Sequence, residues 1–189
     1  VVMEKALVRL EPLTLAHAES LLGCAKVSTI WRYLRIPQPR TVDDMRAFIQ
    51  VALDNQAKGT EVPFATVHKG DNRVAGTTRF MDIQRINRGM EIGWTWIAID
   101  YQRTFVNTHA KYLQLEHAFD KLGAIRVQIK TDARNQASRK AIERIGAKYE
   151  GTLRNHMINY DGYVRSTAMY SITDKEWPEK KRQLQLRLL

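Results

Sequence analysis

The chain has 189 residues, 44% of them hydrophobic, with a mean hydropathy of −0.41, the profile of one folded domain with a sizeable core. No apolar run approaches the roughly 20 residues that span a bilayer, no basic-then-apolar leader opens the sequence, and no Cys/His cluster has zinc-ligand spacing, so no membrane span, secretory signal or metal is expected. The single cysteine, Cys24, cannot close an internal disulfide, which fits a cytoplasmic protein, and a formal net charge of +10 attracts anions such as nucleic acid, a membrane surface or a phosphate-rich ligand.

Residues 5–10 alternate as a first strand closed by Pro12. Thr14 is placed to cap a helix over 15–22 that buries Leu15, Ala18, Leu21 and Leu22 and stops at Gly23. Residues 31–40 mix large aromatics, arginines and two prolines, a loop that either walls a pocket or packs. Thr41 and Asp44 form a capping box for a second helix, with Met45, Phe48, Ile49, Ala52 and Leu53 at helical spacing. Strands follow over 62–68 and 74–83, joined by a hairpin turn at 69–73, and a basic connector leads into a strand at 90–97.

The stretch 90–147 organises the rest. The strand ends in a short polar turn at 100–108, and then a helical pattern starts, with Tyr112, Leu115, Phe119 and Leu122 on one face and Gly123 as its stop. A strand that feeds a helix through a tight turn leaves several N–H groups unpaired and pointing one way, which makes an anion site. A strand over 124–131 follows, and Asn135 or Asp132 caps a helix with Ala137, Ala141, Ile142 and Ile145 inward, ending at Gly146. Strands at 147–158 and 163–173 flank the Asp161-Gly162 hairpin, and from Pro178 a basic helix is expected to dock through Leu184, Leu186 or Leu188. The order β-α-α-β-β-β-α-β-α-β-β describes one mixed α/β domain over 1–189 with much antiparallel pairing, its basic C-terminal helix lying within 175–189.

Three stretches resemble the GNAT superfamily of acetyl-CoA-dependent N-acetyltransferases, nearest the RimJ/RimL-like branch that acetylates ribosomal-protein N-termini. They are Gln102 to Asn107, matching the pyrophosphate loop; Asn-x-x-Ser-x-x-Ala-Ile-x-x-x-Gly-Ala at 135–147; and Glu150-Gly151-Thr152-Leu153-Arg154 with Tyr170-Ser171-Ile172. One departure stands out, since Phe105 replaces the first glycine of the loop. The resemblance implies the GNAT fold, a mixed and mostly antiparallel sheet of about seven strands flanked by helices. It also implies acetyl transfer from acetyl-CoA to a primary amine, a protein N-terminus or a small molecule, by direct attack in a ternary complex. Ribosome or RNA proximity and a homodimer stay open as partners.

Residue by residue, the resemblance places the pyrophosphate on Gln102, Arg103, Thr104, Phe105, Val106, Asn107 and Thr108, and the pantetheine arm along the backbone of Ile97, Ala98 and Ile99. Asn135 and Ser138 face the cofactor. Glu91 is the leading general base, with an ion pair to Arg79 or Arg126 as its structural alternative, and His156 is second because an imidazole titrates near neutrality. Ile142 stands where many members carry the tyrosine that protonates the leaving thiolate, so Ser138 or a water takes that role. Trp31, Tyr33, Trp94, Trp96 and Tyr170 are candidate acceptor-pocket residues, the remainder being core. Two other functions compete: an acyl-CoA sensor without turnover, suggested by Phe105 and the absent tyrosine, and a nucleic-acid module resting on charge alone.

Overall fold

The computed structural model describes residues 1–188. It opens with a hairpin, β1 (Met3–Lys5) and β2 (Val8–Pro12), where alternation predicted one strand over 5–10. The break falls at Ala6-Leu7, and Val8 and Leu10 then turn inward. A 3-10 turn (Leu15–His17) leads into α1 (Ala18–Cys24); this turn leaves Leu15 exposed while Ala18 and Leu21 reach the core. Helix α2 (Val42–Ala57) starts at the expected capping box, Thr41 accepting from the Asp44 amide (3.1 Å) and Asp44 from the Thr41 amide (2.9 Å).

Strands β3 (Val62–His68), β4 (Arg73–Gln84) and β5 (Gly89–Ile97) form a meander, and β5 feeds α3 (Val106–Glu116). A π-helical turn over His117–Lys121 follows. By adding a residue to the turn it rotates what comes after, so Phe119 stays buried but Leu122, predicted on the inner face, is exposed. The chain continues through β6 (Arg126–Asp132), α4 (Gln136–Arg144), β7 (Lys148–Ile158), β8 (Val164–Thr173) and α5 (Trp177–Arg187). Leu184 docks α5 and Leu186 does not; the main anchor is Trp177, stacked 5.3 Å from Phe119. No helix among the described residues is long and apolar enough to cross a membrane.

The eight strands lie in the order β1-β2-β3-β4-β5-β6-β8-β7, one more than expected because of the N-terminal hairpin. Every neighbouring pair is antiparallel except β5–β6. One face packs on α1 and α2 through Leu21, Trp31, Met45, Phe48, Ile49 and Trp96. The other face packs on α3 and α5 through Tyr112, Leu115, Val127, Ile172 and Leu184.

The parallel pair positions the site. It is short, joining Gly89 to Arg126, Met90 to Val127 and Glu91 to Gln128, and then stops. Strand β6 stays with β8 along its full length, whereas β5 stays with β4 through a bulge in which Trp94 takes φ 48°. Each strand follows its antiparallel partner, and the two halves of the sheet part. Beyond the bulge β4 and β5 close tightly at Gly76 (φ 152°), where a Cβ would fall 2.0 Å from the Trp96 carbonyl oxygen, so no side chain fits.

Candidate active site

The parting strands open a cleft of about 550 Å³. Its walls come from β5, the C-terminal half of β6, the turn after β5 and the inner face of α4. Between Glu91 and Ile97 the β5 edge has no β6 partner, so backbone groups on that side are free to meet an amide-rich ligand. This free edge lies upstream of where it was expected. The Ala98 amide donates to the Ala75 carbonyl (2.7 Å), the Ile97 carbonyl accepts from Gln102 Nε2 (2.9 Å), and Ile99 is exposed, so only Ile97 of the predicted trio lines the cleft.

The turn after β5 is built by local hydrogen bonds. Thr104 Oγ1 donates to the Tyr101 carbonyl (2.7 Å) and accepts from the Val106 amide (3.3 Å). Arg103 takes the left-handed conformation (φ 61°), not residue 105. Phe105 is α-helical (φ −68°) and needs no glycine. Its ring turns away from the cleft onto His68 (5.5 Å) and His109 (5.3 Å), joining a stack with Tyr101 that fastens the turn to the β3–β4 hairpin. Among the described residues the amides of Arg103, Thr104 and Phe105 donate to nothing, and they precede the 11-residue helix α3. The buried Asn107 Oδ1 also has no partner. Orphan donors at a helix N-terminus plus an unsatisfied amide oxygen fit a phosphate-rich, amide-bearing ligand. Gln102, Arg103, Thr104 and Asn107 line the cleft, whereas Val106 and Thr108 are buried under the turn.

Across the cleft, Asn135 caps α4 by accepting from the Ser138 amide (3.0 Å), and both residues line the wall. Glu91 lies in the floor, 1% exposed. Its partner is Lys130 (Nζ to Oε2, 2.8 Å), not Arg79 or Arg126, and Gln128 donates to the same oxygen (3.1 Å). Arg79 instead pairs with Glu61 (2.9 Å) and Arg126 with Glu150. Oε1 of Glu91 is left beside Gly93, where a Cβ would lie 3.1 Å from it. Burial raises the Glu91 pKa and outweighs the Lys130 charge, which lowers it.

The other predicted residues divide. His156 is exposed on the outer strand and faces a shallow depression lined by residues 152–156, its pKa lowered by burial and then by the charges of Lys130, Arg165 and Arg35. Tyr33, Trp94 and Trp96 line the cleft. Trp31 is core, packed on Trp96 (5.3 Å) with its indole N–H on the Ala25 carbonyl (2.9 Å). Tyr170 is also core, its hydroxyl donating to Glu143 and accepting from Arg139 (2.9 Å each).

Two cleft residues escaped the sequence reading. Lys111 is buried in α3, its Nζ within reach of Thr95 Oγ1 (2.5 Å), Thr78 Oγ1 (3.1 Å) and Gln114 Oε1 (3.4 Å), and burial brings its pKa down to about 7. The signal was present: Lys111 falls on the inward stripe with Thr108 and Leu115. Arg165, the second residue of β8, is 6% exposed, and its tract Val164-Arg165-Ser166-Thr167 has no apolar period to mark which face is inward.

Residues 8–148 match the family model described as an acetyltransferase (GNAT) domain. The curated relative "Putative ribosomal N-acetyltransferase YdaF" of Bacillus subtilis is 31% identical over 111 residues, which span 59% of this chain and 60% of that protein. A solved GCN5-related N-acetyltransferase from Brucella melitensis superposes with TM-score 0.94 at 30% identity, covering 100% of this chain and 86% of the other. The structure of Mycobacterium smegmatis RimJ in complex with CoA-disulfide shares the fold at 19% identity, with TM-score 0.81 over 96% of this chain and 88% of that one.

Proposed function

The chain belongs to the GNAT acetyltransferase family, and from that premise we propose that it is a cytoplasmic enzyme that acetylates the N-terminal α-amine of a protein or peptide in a ternary complex with acetyl-CoA. The observation that carries this reading is the cleft between β5 and β6, with orphan amides at one wall and a buried carboxylate in its floor. When bound, acetyl-CoA supplies the acetyl group as a thioester.

The protein's part follows from its own atoms. The amides of Arg103, Thr104 and Phe105, with the α3 dipole behind them, hold the diphosphate. The unpaired β5 edge and Asn107 Oδ1 hold the amides of the pantetheine arm. Glu91 Oε1 accepts the proton from the acceptor ammonium; an α-amine near pKa 8 needs only a modest base, and a carboxyl raised by burial is better matched to it than an ordinary one. The Ser138 hydroxyl faces the cleft from the first turn of α4 and serves as proton donor on the leaving side, where Ile142 offers none. The name of the Bacillus subtilis relative supports a protein acceptor over a small amine. Phe105, the residue that favoured an acyl-CoA sensor, has its ring outside the cleft and gives that reading no support.

The test is to follow free-thiol release from acetyl-CoA with peptides beginning Ala, Ser or Met, their N-terminally blocked forms, and polyamines. Release with free peptides and not with blocked ones is expected. Release with polyamines alone would remove the protein-acceptor reading.

A further inference from the structure

Arg165 is nine-tenths buried and yet forms no ion pair among the described residues. Its Nε donates to Thr167 Oγ1 (3.1 Å), which fixes the guanidinium plane, and the side chain lines the cleft. The two carboxylates nearest it are already taken. Asp132 holds Arg134 through two contacts (Nε to Oδ1, 3.0 Å; Nη2 to Oδ2, 2.8 Å), and Glu91 holds Lys130. Arg35, on the aromatic loop, lines the same part of the cleft and also forms no ion pair among the described residues. Two arginines, Arg165 buried and Arg35 exposed, therefore face this chamber outside any ion pair, with Asp132 and Glu91 acting on Arg165 only at longer range. Burial disfavours the charged form of Arg165 and lowers its pKa, and Asp132 and Glu91 offset this only in part; its terminal nitrogens have no protein partner among the described residues and open onto the cleft. A carboxylate offered in its plane would remove that penalty with paired, charge-assisted hydrogen bonds.

We propose that Arg165 is the anion receptor of the acceptor site, and that the amine acetylated here carries a carboxylate close to its nitrogen, gripped by Arg165 with Arg35 above it. This rests on the acetyltransferase reading of the cleft and adds the class of acceptor. The shared chemistry has two sources, the α-carboxylate of a free amino acid or an acidic side chain just after the N-terminus of a peptide.

The experiment measures kcat/KM by thiol release for two matched pairs: the amidated peptide Ser-Asp-Ala against Ser-Asn-Ala, and serine against serinamide. Wild-type protein should prefer the acidic member of one pair by about tenfold or more, the size of one charge-assisted hydrogen bond, and the pair that shows it identifies the source. Arg165→Gln should bring that ratio to within about twofold, and Arg165→Lys should restore part of it. A binding arm runs beside it, recording the thermal midpoint with the acetylated form of each compound. Only the acidic acetylated form should raise the wild-type midpoint, and it should not raise that of Arg165→Gln. Loss of an unpaired buried charge should leave the variant folded, with a midpoint no lower than wild type. Equal turnover of both members in each pair overturns the anion receptor and leaves the acetyltransferase reading intact. If no amine is turned over, that reading fails, and the binding arm still decides: an equal midpoint with acidic and neutral ligands overturns the receptor.

Discussion

Replacing Lys111 with methionine should stabilise the protein, and the gain should fade as pH rises. An amine in water has a pKa near 10.5, and burial in α3 brings that of Lys111 down to about 7. At about 1.36 kcal/mol per unit, this difference corresponds to about 5 kcal/mol held against the fold at low pH. The sign follows from proton counting. Between those two values the unfolded chain binds a proton that the folded chain does not, so stability rises with pH; below the lower value both states are protonated and the full penalty applies. Methionine fills a similar volume without a charge. The groups around it lose little, because Thr78 and Thr95 remain 2.7 Å apart and Thr78 still donates to Gln114 Oε1 (2.9 Å). Loss of the amine's own hydrogen bonds offsets about 1 kcal/mol each, which leaves a net gain of about 2 kcal/mol at neutral pH. Urea unfolding of both proteins between about pH 6 and pH 9.5 measures this, since groups common to both cancel in the difference. The difference should shift by about 3 kcal/mol in favour of wild type between neutrality and about pH 9.5, so that the order of stability reverses toward the upper end. Parallel pH profiles would refute the reasoning and show that the ammonium is tolerated where it lies.

The other expectations are simpler. Glu91→Gln should lower thiol release about 10²-fold or more with CoA binding unchanged. The carboxylate is the active form, so wild-type kcat/KM should rise with pH through a limb above the ordinary carboxyl value, absent in the variant; normal turnover in the glutamine variant would reduce Glu91 to a structural residue. Phe105→Gly should weaken CoA about twofold to tenfold by calorimetry, because the turn loses its ring stack and gains backbone freedom; a gain in affinity would mean that the ring obstructs. Gly76→Ala should cost about 3 kcal/mol or more in urea unfolding, because its Cβ meets the Trp96 carbonyl, and an unchanged midpoint would disprove that close approach.

Elements with strong periodicity and explicit caps were legible, such as α2 behind Thr41 and Asp44 or the β7–β8 hairpin at Asp161-Gly162. The misreadings have physical causes. A 3.6-residue period puts Leu122 inward, but the π turn breaks that period, and no local residue announces the turn. An aromatic at strand or loop spacing, such as Trp31 or Tyr170, looks the same in sequence whether it faces ligand or core; Trp31 is drawn inside by Phe48 and Trp96, and Tyr170 by Arg139 and Glu143. Alternation along β5 sets Glu91 on a different face from Met90 and Ile92, but all three are buried, and the Lys130 partner is not legible because it comes from the parallel strand after a helical crossover.

Two of the six non-glycine residues with positive φ among the described residues, Trp94 and Arg103, lie where the sheet parts and bracket the stretch of β5 and turn that faces the cleft. Such a backbone costs about 1–3 kcal/mol per residue for a non-glycine side chain and persists only where its surroundings hold it. Trp94 is held by Phe48 (6.0 Å) and by the Arg79 guanidinium (5.0 Å), itself fixed by Glu61 inside the core. The turn at Arg103 is held by the Phe105 stack and by Thr104. The bulge takes β5 away from β6, and the separation leaves the backbone groups unpaired that make the cleft polar. Phe105 then does at the turn's outer side what a glycine could not, pinning the segment from outside while its α-helical backbone leaves the inner amides free. The loop departs from the family pattern at this position and still presents unpaired amides ahead of α3.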